Sequence, residues 1–155
     1  MCIRDREYTA RRGAITAAVI VAIDDQDQVL LVEQHRIPIG RLCLELPAGL
    51  VGDQEPGESL EHAAGRELEE ETGYRASRIE RLGEFCSSPG MTSETFTLVR
   101  ATGLTRIGDG GGDAQENITT YRVPIADIAR FVAEKRVAGV AIDAKMLLLL
   151  ASGLF

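Results

Sequence analysis

The stretch Arg66-Glu-Leu-Glu-Glu-Glu-Thr-Gly-Tyr74 decides how this chain is read. It ends an amphipathic segment that begins at Ser59 and that we take as a helix to Thr72. At about 100° per residue, Leu60, Ala63, Ala64 and Leu68 fall on one side, and His62, Gly65, Arg66 and Glu69 fall roughly opposite. Glu67 and Glu71, one turn apart, land on the apolar side, with Glu70 at its flank. Carboxylates that face inward together repel one another and resist desolvation. A cation would neutralise them, and functional sites are where such local rules are broken. The alternative is a solvated acidic helix end with Arg66 as an ion-pair partner, the usual fate of a charged run.

Carboxylate oxygens with no Cys or inward-facing His beside them suit magnesium or manganese rather than zinc or copper. Magnesium keeps waters and takes few protein carboxylates together with substrate phosphates. The glutamate helix therefore points to a place where a hard dication meets a phosphate.

Upstream stand Glu45-Leu-Pro-Ala-Gly49, then Gly52, Gly57 and Glu58. Gly52 to Tyr74 fits Gly-x5-Glu-x7-Arg-Glu-U-x-Glu-Glu-x-Gly-U, with U bulky and apolar or aromatic. This resembles the Nudix box at every fixed position. The resemblance runs from about Arg12 to about Leu150. In relatives the glycine of Pro-Ala-Gly itself begins the box. Here Gly49 lies three residues too far from Glu58, so the loop Leu50–Gly57 reads as longer.

Resemblance to the Nudix hydrolase superfamily implies an α/β (α+β) fold in which a mixed β-sheet is sandwiched between helices. Within the superfamily the chain looks most like ADP-ribose pyrophosphatases. That likeness rests on Val32-Glu-Gln-His-Arg36, Glu45-Leu-Pro-Ala-Gly49, Ser88-Pro-Gly-Met-Thr-Ser-Glu94 and Gln115-Glu-Asn-Ile118. It implies metal-dependent cleavage of the diphosphate of ADP-ribose to AMP and ribose 5-phosphate, with Mg2+ as cofactor and Mn2+ as a substitute. The backbone of Ala48 and the carboxylates of Glu67, Glu71 and Glu116 are the expected metal ligands. Glu70, Glu116 and Arg66 are the expected catalytic group: Arg66 would hold the glutamates in position through charge-assisted hydrogen bonds, Glu70 would assist as a further metal or water contact, and Glu116 is the expected base, with Asp113 as runner-up and Glu94 as a further acidic candidate. Arg36, Glu45 and Met91 are the expected substrate contacts. For Arg36 and Glu45 an ion pair with a neighbour is the competing reading, and for Met91 a plain turn. Another nucleoside diphosphate derivative as substrate, or a non-catalytic nucleotide-sensing module, remain the alternatives.

Composition sets limits. The chain has 155 residues, enough for one domain with a buried core. A net charge of −7 argues against sequence-independent binding of nucleic acid polymers. The three cysteines, Cys2, Cys43 and Cys86, are widely spaced and do not suggest a disulfide or zinc site; Cys43 reads as a buried thiol. No signal peptide or bilayer-length apolar run is seen, so a cytoplasmic location and no membrane partner are expected. Met1-Cys-Ile-Arg-Asp-Arg6 joins abruptly and reads as a non-native leader, leaving one domain over residues 7–155. A homodimer is expected by resemblance, with an N-terminal strand region that reads as truncated.

The expected elements follow from punctuation and pattern. Strands are expected at Ile15–Ile23 and Gln28–Gln34, joined as a hairpin across Asp24–Asp27. Further strands are expected at 42–46, 79–86, 95–101 and 118–123. A helix should begin after Pro124, and a last one should run from about Ile142 to Ser152 with Asp143 as its cap. Gly108-Asp-Gly-Gly-Gly-Asp113 reads as a flexible loop.

Overall fold

A computed structural model describes residues 7–10, 15–52, 57–112 and 117–150. Its strands form two mixed four-stranded sheets. The first contains β1 (Thr16–Ala22), β4 (Ala48–Val51), β5 (Tyr74–Cys86) and β6 (Thr95–Arg106), in the order β4-β1-β6-β5. The second contains β2 (Gln28–Arg36), β3 (Arg41–Glu45), β7 (Thr119–Pro124) and β8 (Ala141–Ile142), in the order β7-β2-β3-β8. The helices are α1 (Leu60–Thr72) and α2 (Ile128–Val137). This is the mixed α+β class expected.

The run Ala18 to Ala22 is buried along its whole length because β1 is covered on both faces. Ala18, Ile20 and Ala22 pack with Leu60, Ala63, Ala64 and Leu68 of α1. Val19 and Val21 point the other way, into a second core with Val29, Leu31, Leu44 and Ile128. The strand thus lies between the glutamate helix and the second sheet.

The expected β1–β2 hairpin is not formed. The turn is present, with the Gln26 and Gln28 N–H groups donating to the Asp24 carboxylate at 2.8 and 3.1 Å. Beyond the single bridge Ile23–Val29, however, the strands part into different sheets. β1 pairs with β4 antiparallel and with β6 in parallel, and these distant partners outweigh the local turn. β5 and β6 extend further than expected and make a long hairpin with an irregularity between Arg81 and Gly83.

The expected last helix is seen as the short strand β8 followed by a 3-10 segment, Ala144–Leu150. Asp143 caps that segment through the Lys145 N–H. The leader 1–6 and residues beyond 150 lie outside the described residues.

Candidate active site

Helix α1 begins and ends where its sequence dictates. The Ser59 hydroxyl accepts from the His62 N–H at 3.2 Å, and Gly73 closes the helix in the left-handed conformation with φ of 74°. This register turns Glu71 inward, where it is 3% exposed. One Glu71 carboxylate oxygen accepts from the Ala48 N–H at 3.1 Å. Ala48 opens β4, so the helix carboxylate meets the Pro-Ala-Gly backbone through the Ala48 N–H.

Arg66 does not lie on the solvent side. Its long side chain folds over the helix, and the guanidinium sits among carboxylates. It donates to Glu67 at 2.9 Å, to Glu70 at 3.2 Å and to Glu58 at 3.3 and 3.4 Å. It also reaches the Leu50 carbonyl at 3.4 Å. Burial works against its charge, but Glu58 and Glu67 more than offset that and hold its pKa above the ordinary arginine value.

Glu58 had no assigned role in the sequence reading, yet its side chain is only 1% exposed. Arg66 holds its carboxyl below the usual carboxylate range, and His62 meets it at 3.0 Å. Glu58 precedes the N-cap Ser59, and His62 and Arg66 stand four and eight positions further on, within reach of its carboxylate. That spacing was the available signal. Glu58 anchors the arginine that in turn orients Glu67 and Glu70.

The Gly49 backbone lies against Glu67. A Cβ at position 49 would collide with the Glu67 Cγ, Cδ and Oε1 atoms. Glycine is therefore what leaves room for this carboxylate. Glu70 is the most open of the group, with its side chain 42% exposed.

Arg36 and Glu45 find each other. The guanidinium donates twice to the carboxylate, both at 2.7 Å, from adjacent strands β2 and β3. The Glu45 contact raises the Arg36 pKa, and the charge of Glu71 adds to the effect. This places the pair within electrostatic range of the helix carboxylates. The ion-pair reading thus holds for both residues, beside the glutamate site. Cys43, buried in β3, is pushed up to about 12 by burial and by Glu45, so it stays a neutral thiol.

Met91 stands apart. It is 72% exposed on a turn in which its N–H donates to the Ser88 carbonyl, and its own carbonyl accepts from Thr9. Glu94 is half-buried just ahead of β6. Asp113 and Glu116 lie outside the described residues.

The donor set fits a hard dication. Among the described residues no three acidic, Cys or His side chains form a ready-made metal cage. An ion that takes one or two carboxylates and fills its other positions with water and phosphate does not need one. Glu67 and Glu71, with the backbone at Ala48, are the groups able to hold it, and Gly49 leaves the space they use.

Comparisons with known proteins place the chain in a family. The NUDIX domain family model matches residues 14–144. The methanol dehydrogenase activator of Bacillus methanolicus is 34% identical over 133 residues, covering 85% of this chain and 69% of that protein. The ADP-ribose pyrophosphatase of Bacillus subtilis (strain 168) is 32% identical over 133 residues, with the same 85% and 69% coverage. A solved structure described as an ADP compounds hydrolase superposes with a TM-score of 0.70 at 27% identity, over 90% of this chain and 72% of that one. With its glutamate helix, its Arg66 hub and a family match along most of its length, the chain belongs to the NUDIX domain family.

Proposed function

We propose that this protein hydrolyses the diphosphate linkage of ADP-ribose, giving AMP and ribose 5-phosphate. The observation that carries the reading is the single guanidinium of Arg66 bonded to three carboxylates beside the Glu71–Ala48 contact. The family's hydrolases are in general dependent on divalent metal; we assign Mg2+ here, with Mn2+ as a substitute. When bound, the ion supplies charge neutralisation for the diphosphate and makes water more acidic.

The chain's own groups do the positioning. Glu67 and Glu71 would hold the ion, with the Ala48 backbone carbonyl as a further ligand. Arg66 fixes the rotamers of Glu67 and Glu70 through charge-assisted hydrogen bonds. Glu70, the most solvent-accessible of the three, contacts water at the edge of the site. Glu116 accepts the proton from the attacking water as general base. The Arg36–Glu45 pair and Met91 contact the nucleotide portion.

No helix among the described residues is long and apolar enough to cross a membrane. We assign a cytoplasmic location and a homodimer. Exposed Ile37, Ile39 and Leu42 flank Arg36 and offer apolar surface to a second copy. Light scattering at micromolar concentration is expected to give a dimer, and a monomer would remove that assignment.

A substrate panel tests the reaction. ADP-ribose, nucleoside diphosphate sugars and dinucleotides are incubated with Mg2+ or with chelator, and products are identified. AMP and ribose 5-phosphate from ADP-ribose, only with metal, are expected. Cleavage of another diphosphate while ADP-ribose stays intact would replace the substrate. No cleavage of any would overturn the reaction.

A further inference from the structure

The carbonyl end of α1 is closed by a loop from far along the chain. The Gly112 N–H donates to the Glu70 carbonyl and the Gly111 N–H to the Glu71 carbonyl, each at 3.0 Å. Thr120 of β7 adds its hydroxyl to the Glu71 carbonyl at 3.0 Å. The Ile107 and Gly108 N–H groups both donate to the Gly73 carbonyl, at 2.8 and 3.1 Å. The described part of this glycine loop is therefore docked, contrary to the flexible loop read from composition.

The approach is close enough to require glycine. Gly110 has φ of 68°, and a Cβ there would lie 2.5 Å from the Thr72 carbonyl carbon and 2.6 Å from the Glu71 oxygen. Both are backbone atoms that cannot swing away. The last turn of α1 carries no basic residue, while Glu69, Glu70 and Glu71 all stand there. Carboxylates at a helix C-terminus oppose the macrodipole, and, while the Gly73 N–H takes the Glu69 carbonyl, the carbonyls after it lie beyond the reach of the regular helix ladder. The loop supplies N–H groups to two of the residues whose side chains face the site.

We infer that the glycine loop Gly110–Gly112, together with Thr120, is a positioning element of the active site. It sets the backbone of Glu70 and Glu71, and so sets where their carboxylates stand for the metal. The inference rests on the proposed metal role of α1. Loop and helix are separated by more than thirty positions in sequence, and the second sheet joins the loop at the helix's last turn through Thr120.

The test uses the full chain with Gly110→Ala, Thr120→Val, Thr120→Ser and Gly139→Ala. Gly139 has φ of 83° with no atom within 4 Å of an added Cβ, so it controls for backbone strain alone. Mn2+ affinity without substrate is read from the paramagnetic resonance of the free ion, beside the thermal midpoint, kcat and KM. Gly110→Ala is expected to weaken Mn2+ binding at least about tenfold, the scale for groups that orient metal ligands. Thr120→Val is expected to weaken it about fivefold, the scale of one hydrogen bond, with Thr120→Ser restoring it. Substrate KM at saturating metal should stay near the wild-type value while kcat falls. Gly139→Ala should lower the midpoint and leave Mn2+ affinity unchanged.

Unchanged Mn2+ affinity in Thr120→Val overturns the inference, even if the midpoint falls and even if Gly110→Ala does not fold. Wild-type protein that binds no Mn2+ would instead overturn the metal role of α1 itself.

Discussion

Two of the largely buried charged groups among the described residues are built on opposite plans. Behind β2, the Lys135 ammonium donates to Glu33 and to the Tyr121 hydroxyl, both at 2.7 Å, and lies 3.9 Å from the Tyr121 ring centre. The Tyr121 hydroxyl donates to the same Glu33 carboxylate at 3.2 Å. One cation meets one carboxylate, and the pair ties α2 to β2 and β7. Burial works against the Lys135 charge, but Glu33 and Tyr121 outweigh it and raise the pKa. On α1, one guanidinium is bonded to three carboxylates, with Glu71 close by. The first group is balanced and closed, as a structural tie should be. The second gathers several carboxylates around one guanidinium, a donor set that a dication would complement.

The contrast is broken or sharpened by substitution. The largest effect is expected at Glu67 and Glu71. Changing either to Gln should lower turnover by about 10²–10³-fold, because an amide is a poorer ligand for a hard dication. In chelator the thermal midpoint should not fall, since a like-charge repulsion is relieved. A clear loss of midpoint in chelator for both variants would make α1 a structural ion-pair element like Lys135–Glu33.

The opposite result is expected at the closed group. Lys135→Met leaves Glu33 buried without its cation and should cost about 3 kcal/mol in denaturant unfolding. Turnover at saturating substrate should stay within about twofold, because α2 carries none of the site. Adding Glu33→Gln should recover most of the loss. A stable single variant would show that the cluster ties nothing.

Gly49→Ala comes next. The new methyl group displaces only the flexible end of Glu67, so unfolding free energy should change little. Turnover should fall by up to about 10²-fold, the cost of a misplaced catalytic group. Equal activity in the variant would mean that Glu67 works from another rotamer.

The smallest effect concerns pH. Arg66 holds the Glu58 carboxyl below its ordinary 4.5. A depressed folded-state pKa contributes stability that is complete above the unfolded value and lost as the pH falls through the folded one. Acid unfolding curves of Glu58→Gln should therefore be flatter than wild type below pH 4.5, and parallel to it above. Identical slopes would remove Glu58 as the anchor of Arg66.

What was legible in the sequence was what neighbours decide. Ser59 and Gly73 mark the ends of α1 by their own chemistry, and the period of Leu60, Ala63, Ala64 and Leu68 fixes which way Glu71 turns. The Asp24–Asp27 turn was equally legible, but pairing of β1 depends on β4 and β6, which no local pattern announces. The role of Arg66 in holding the glutamates follows from the resemblance, whereas a helical wheel alone puts its Cα opposite the apolar side; its long side chain folds back toward the carboxylates. The glycine loop was read from composition as free chain, whereas its glycines permit contact with a helix end that only the fold brings near. The β2–β3 register sets Arg36 opposite Arg41 and Glu45 opposite Val32, four positions apart, so the ion pair depends on the reach of the side chains and not on direct cross-strand pairing.

The claim that α1 is an open, metal-seeking cluster and Lys135–Glu33 a closed one is tested most directly by calorimetric titration of Mg2+ into three proteins without substrate. Wild type and Lys135→Met are expected to bind alike, and Glu67→Gln at least about tenfold more weakly. Equal binding by wild type and Glu67→Gln, or no binding by wild type, would contradict the account.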